Sequence, residues 1–208
     1  MLVAAGYRPG TMEDALRGKR RVLHVTFDDG FKSILQVYPL LRSMGIPLTV
    51  FVCSRYDGNV TIPELAADAA ARPDQFAALA WDDLRELARE GVEVGSHGLN
   101  HRRFTGLSDR ELREELTESK HEIEHEIGQA CRYVAYPYGD YDHRTMRAAK
   151  NAGFVAGCTM SSGPLQRTLL SVPRIGVYPR DTTYRVRAKT LLPIRLTRQA
   201  IPARRQRP

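Results

Sequence analysis

Apolar positions along this chain follow two alternating rhythms. Short runs rich in β-branched residues, Arg21–Phe27 (RVLHVTF) and Pro47–Cys53 (PLTVFVC), read as buried strands. Val92–Gly95, Tyr133–Tyr136, Phe154–Met160 and Leu169–Val177 repeat the signal. Between them lie stretches of helical period. Phe31–Met44 puts Ile34, Leu35, Tyr38 and Leu41 on one face, with Pro39 implying a kink or break and Gly45 a cap. Asp82–Glu90 is amphipathic and ends at Gly91. Ser108–Ile127 begins with a capping box, Ser108 to Glu111, and carries Leu112, Leu116, Ile123 and Ile127 as a stripe. Asp142–Asn151 is closed by Gly153, whereas residues 54–80 keep no steady period. Strand and helix units alternating without separate blocks predict a parallel α/β domain. It is placed over residues 1–180, with 181–208 as a tail. Polar clusters follow the strands at 28–30, 96–101 and 137–139, where α/β sheets and barrels gather their active sites.

Composition narrows the class. Of 208 residues, 42% are apolar and 26% charged, a globular balance that excludes a disordered or fibrous chain. The longest apolar runs fall far short of the ~20 residues of a membrane helix, so no transmembrane segment is expected. Met1 leads straight into Leu2-Val3-Ala4-Ala5-Gly6 without a basic segment or long apolar core. No export signal is read there, and a cytoplasmic location is expected. Three cysteines, Cys53, Cys131 and Cys158, make no C-x-x-C pair and read as free thiols. The net charge of +7 is uneven: ten of the 31 Lys/Arg but only Asp181 of the 24 acids lie between Val172 and Pro208. That tail reads first as a solvated terminus and second as a peripheral contact with anionic lipid or polymer. No nucleic-acid-binding fold accompanies it, so no specific nucleic acid is expected.

Two clusters carry candidate chemistry. In Thr26-Phe27-Asp28-Asp29-Gly30 two adjacent carboxylates sit at a strand end, where mutual repulsion calls for a cation or other partners. Successive side chains diverge, so one can ligate a metal while the other faces water. The competing reading is a turn in which an Asp caps the next helix. His97-Gly98-Leu99-Asn100-His101 has H-x-x-x-H spacing, and its Gly and Asn favour a loop over a helix. His121 and His125 share that spacing but lie among glutamates and read as an exposed face, while His24 reads as a core or lining residue. Asp29 with His97 and His101 would supply one carboxylate and two imidazoles with positions left open, the pattern of catalytic zinc and of non-haem iron(II) sites.

With TFDDG at 26–30, SHGLNH at 96–101 and YPYG at 136–139, the chain resembles the NodB-type polysaccharide deacetylases, carbohydrate esterase family four. Trp81 sits where members often carry W-x-x-L, and the resemblance runs from about residue 20 to 178. It implies an irregular (β/α) barrel of six or seven strands and metal-dependent removal of N-acetyl groups from an amino sugar. Carried over, Asp29, His97 and His101 bind one divalent ion, with zinc expected first and cobalt, nickel, manganese or iron as alternatives. Asp28 becomes the general base, and the Tyr138 N–H helps hold the oxyanion. Two departures stand out. The arginine many members carry four residues before the third-motif glycine is Ala135 here, and no histidine follows His143 to complete a late L-x-H motif. Together YPYG and Pro173-Arg174-Ile175 look like a subset of the family in which Arg174 stands in for the missing arginine. Hydrolysis of a non-sugar amide, a carbohydrate-binding pseudoenzyme and an iron(II) oxygenase are the alternatives. The intact metal set argues against the second, and the absence of an H-x-D signature against the third.

Overall fold

The computed structural model describes residues 2–18, 21–58, 62–160, 168–178 and 180–190. Six parallel strands form the main sheet: β1 (Val25–Phe27), β2 (Leu48–Val52), β3 (Glu93–Ser96), β4 (Tyr133–Ala135), β5 (Ala156–Thr159) and β6 (Val172–Pro173). They neighbour one another in chain order, each pair parallel, so the sheet curls toward a barrel with β1 and β6 as its edges. The helices crossing between strands are α1 (Ile34–Ser43), α2 (Trp81–Arg89), α3 (Asp109–Ile127) and α4 (His143–Asn151), and α5 (Thr183–Thr190) follows β6. This is the six-stranded form of the expected (β/α) barrel.

Strand alternation divides the core into two layers. Leu48, Val50, Val52, Val94, Val134 and Tyr136 face the helices and pack with Leu84, Leu112, Leu116 and Ile123. Phe51, Tyr133, Ala135, Ala156 and Cys158 face the barrel interior, joined by Met12 from the helical turn Met12–Leu16, with Leu16 packed beside them. Each fully buried aliphatic side chain contributes about 1.5–3 kcal/mol, so this two-layered burial holds the strand ends where the polar loops emerge.

Several elements differ from expectation for local reasons. Arg21–Phe27 splits at His24: Val22–Leu23 pairs with Arg8–Pro9 in a separate ribbon, and only Val25–Phe27 joins the sheet. Helix α1 begins at Ile34 and runs through Pro39 unbroken. Pro39 and Leu35 lie on its exposed side, where water can satisfy the carbonyl that loses its donor. Leu35 is accordingly exposed, and the buried stripe is Ile34 and Tyr38. Leu169–Val177 shrinks to a two-residue strand. Residues 54–80 hold the short helices Ala66–Ala71 and Pro73–Phe76. The capping box of α3 forms in full, with Gly128 in the left-handed region at its end. The tail's first residues build α5, while 191–208 lie outside the described residues. No helix among the described residues is long and apolar enough to cross a membrane.

Candidate active site

Asp28, Asp29, His97, His101, Tyr138 and Arg174, the candidate site residues, gather at the C-terminal ends of the strands. Asp28 and Asp29 leave β1 in a turn with Asp29 at φ +69° and Gly30 at φ +64°. Neither aspartate caps α1, whose N-cap is Ser33, so the capping alternative falls away. His97 follows β3 and is fully buried, its N–H donating to Val52 O at 2.7 Å.

The segment 97–101 is a loop, and its shape is held from three sides. Ser54 and Arg55 donate backbone N–H bonds to Gly98 O and Leu99 O, both 3.2 Å. The buried carboxylate of Glu115 on α3 accepts from Leu99 N (2.7 Å), Asn100 N (3.2 Å) and Asn100 Nδ2 (3.2 Å). Gly98 has φ +84°, and a Cβ there would meet Glu115 Oε2 at 2.9 Å. Ser96 Oγ accepts from Gly98 N and pairs with Ser119 Oγ. Glu115 and Ser119 are functional supports that the sequence reading missed. The available signal was their position on the buried stripe of α3 with Leu112, Leu116 and Ile123.

Three lone pairs converge in this frame. Asp29 Oδ1 lies 3.4 Å from His97 Nε2 and 3.3 Å from His101 Nε2, and the three ligand atoms all fall within 4.8 Å of one another. His97 Nδ1 sits 2.7 Å from Ala135 O, a carbonyl that only accepts, so the ring proton belongs on Nδ1 and Nε2 presents its lone pair to Asp29. Asp29 Oδ1 is buried without a hydrogen-bond donor among the described residues. A buried carboxylate oxygen facing imidazole nitrogens is poorly placed without a cation between them, so these residues fit a divalent ion. Burial, with nearby His97, pushes the His101 imidazole down to about 4, keeping it in the neutral form a metal requires.

Asp28 points the other way. Arg174, just beyond β6, donates Nη1 to Asp28 Oδ1 (2.6 Å) and to Thr26 Oγ1 (3.0 Å), and Nη2 to Asp28 Oδ2 (2.8 Å). This bidentate pair bridges the two edge strands of the sheet. Burial pushes the Asp28 carboxyl up, but His97 and Arg174 outweigh it and hold the group below the usual carboxylate range. Asp29 is raised, by burial and by neighbouring Asp28, against the pull of His97. Tyr138 sits at φ +60°, its ring 4.6 Å from that of His101, with Arg103 over it at 4.0 Å and its hydroxyl donating to Glu64 (3.2 Å). Glu64, His101, Arg103, Leu107 and Tyr138 line a cleft of about 370 Å³. A second hollow of that size, at the opposite end of the strands, is bounded by Glu13, Glu93 and Arg132. His121 and His125 are exposed, and His24 bonds Gly10 O and Thr49 Oγ1, both at 2.9 Å, as a lining residue.

Fold and site define the class: a curled parallel α/β barrel with a carboxylate–imidazole cluster at its strand ends. The polysaccharide deacetylase family model matches residues 15–157, more than half of the chain, and the chain belongs to that family. It is 26% identical over 158 residues to the YxkH protein of Bacillus subtilis, covering 74% of this chain and 51% of that protein. It is also 26% identical over 139 residues to a chitooligosaccharide deacetylase of Bradyrhizobium, covering 65% and 54%. Among solved structures, the Streptococcus pyogenes deacetylase PplD in complex with acetate superposes with a TM-score of 0.68 at 22% identity, over 96% of this chain and 82% of that one. The chain spans about half the length of the curated relatives it matches.

Proposed function

We propose that this chain hydrolyses the N-acetyl group of amino-sugar units in a carbohydrate, using a divalent ion, zinc by preference, held by Asp29, His97 and His101. The observation that carries the reading is the buried, donorless Asp29 Oδ1 facing two imidazoles beside an aspartate clamped by arginine. Membership of the deacetylase family and the chitooligosaccharide deacetylase among its relatives support the reaction and suggest the substrate class. The bound ion would polarise the acetyl carbonyl and bring the pKa of water from 15.7 toward ~7.

The chain's own residues do the rest. Asp28, kept ionised and oriented by Arg174, takes the proton of the attacking water. The Tyr138 N–H, in the tight YPYG turn beside His101, donates to the oxygen that gains charge. No late histidine serves as acid, so the protonated Asp28 returns its proton to the departing amine nitrogen, and acetate and free amine leave. One carboxyl thus acts as base and then as acid.

Metal content and acetate release from N-acetylated chitooligosaccharides test this together. D29N should lose the ion, whereas D28N should keep it and lose turnover by ~10²–10⁴-fold, the usual contribution of a positioned base. R174A should cut kcat ~10²–10³-fold with metal retained. Equal metal loss in D28N and D29N would overturn the division of roles. Absence of acetate release with zinc, cobalt, nickel, manganese or iron would overturn the activity.

A further inference from the structure

Among the described residues, the basic segment after β6 holds a buried ion pair, Lys189 with Asp181, that the proposed reaction does not use. Strand β6 is a weak support for the arginine that follows it: two residues pair with β5, and one of them is Pro173, which has no N–H to donate. The Arg174 backbone is tied on the β5 side by its N–H to Thr159 O at 2.8 Å. Two residues on, Gly176 O accepts from Lys189 Nζ at 2.8 Å, across from α5. Lys189 also pairs with Asp181, whose carboxylate accepts from Tyr178 N at 2.9 Å. Lys189 is buried despite its charge, with its ammonium 5.1 Å from the Tyr178 ring centre. Burying a lysine is costly unless its charge is paired and hydrogen-bonded, and here the ammonium donates to Gly176 O and to Asp181, both on the segment that follows Arg174. Met160 completes the link. Its Sδ meets Arg174 Nη2 at 3.6 Å, and a Cβ built on Gly176 would come within 2.7 Å of its methyl group.

We infer that Lys189, with Asp181, is a positioning residue for the Arg174–Asp28 pair, so that α5 is a latch of the active site. The latch fixes the chain between Arg174 and Tyr178. Arg174 then arrives at Asp28 with both nitrogens in register, and the base keeps its orientation without a longer β6. Losing the latch loosens the guanidinium without touching the metal ligands. This inference rests on the proposed role of Asp28, and its test therefore includes a measurement independent of turnover.

Full-length K189M and D181N are compared with wild type in two ways. In metal-free protein, the ¹⁵N-resolved guanidinium signals of Arg174, assigned with R174K, report the bidentate clamp as slowed rotation. That slowing should be lost in K189M, as in D28N, and weakened in D181N, with the folded fraction by circular dichroism unchanged. With metal, kcat on N-acetylated chitooligosaccharides should fall ~10–100-fold in K189M, the usual cost of losing a supporting contact, while KM and metal content hold. In the R174A background the same substitution should cost less than twofold. An intact Arg174 signature in K189M overturns the latch, and so do kinetic losses that multiply in the double variant. If wild type proves inactive, the deacetylase reading fails, and the guanidinium signals alone still decide the latch.

Discussion

Asp28 and Asp29 are neighbours in the chain and opposites in environment. Burial raises both carboxyls, and His97 and Arg174 pull both down. Only Asp28 also accepts the Arg174 hydrogen bonds and ends lowered, whereas Asp29, with Asp28 as an adjacent like charge and no such bonds from Arg174, stays raised. One group is thus held ionised by protein alone, and the other wants a cation. That the two would diverge was legible in the sequence, because successive strand side chains point apart. Which one faces the imidazoles came only from the resemblance, since the left-handed turn at Asp29 leaves no mark in the residue pattern. The support of the histidine loop was harder to read, because the one mark that sets Glu115 apart among the glutamates of α3 is its helical spacing from Leu112, Leu116 and Ile123. Its three accepted hydrogen bonds make it the hinge of ligand geometry. E115Q replaces one accepting oxygen by an N–H₂ aimed at N–H donors, leaving buried donors unpaired. Metal affinity should fall about 10–100-fold, read by titration against a competing chelator. An unchanged affinity would separate Glu115 from the ligand set.

At the scale of elements, the helices were easier to read than the strands. Helix α3 announced its start through Ser108 and Glu111, whose capping box forms as expected, and the structure adds Gly128 in the left-handed region at its end. Strand β6 could not be bounded, because the apolar run from Leu169 to Val177 continues past the two residues that pair. Of the separate ribbon, Val22–Leu23 was legible only as part of the run Arg21–Phe27, and Arg8–Pro9, two residues long, left no periodic signal. Gly95 in β3 shows what the pattern conceals. A Cβ there would meet the Phe51 ring at 2.6 Å and Tyr133 O at 2.9 Å. Phe51 is fully buried and lies beneath the Arg174 guanidinium, 5.3 Å from its centre, so it has no free side to move toward. G95A should therefore destabilise the fold by about 1–3 kcal/mol, the range for overpacking a filled core. Denaturant unfolding measures it, and a variant as stable as wild type would show that the barrel interior has slack.

For the whole molecule, one barrel serves two tasks from its two ends. The strand C-termini carry the candidate chemistry, while the N-terminal residues close the opposite end, with Met12 packed into the interior and Gly10 tied to His24. His24 is thus the interior link between the leading segment and the sheet, through Gly10 O and Thr49 Oγ1. Burial lowers its pKa from the ordinary value, with the bond to Gly10 O opposing only in part. The sign follows from which state takes up the proton. Above about pH 6.5, the usual histidine value, both folded and unfolded His24 are neutral and its titration leaves stability unchanged. As pH falls below that value the unfolded chain binds a proton that the folded chain refuses, and stability drops until the folded pKa is reached. His101, lowered to about 4, adds a loss of the same direction in metal-free protein, so wild type alone would not isolate His24. Comparing wild type with H24Q does, because only the His24 contribution differs. Denaturant unfolding of the metal-free proteins at pH 7.5 and 5.5 should show a larger loss for wild type than for H24Q. Equal losses would mean that the link between the N-terminal segment and the barrel opens without cost when His24 is protonated.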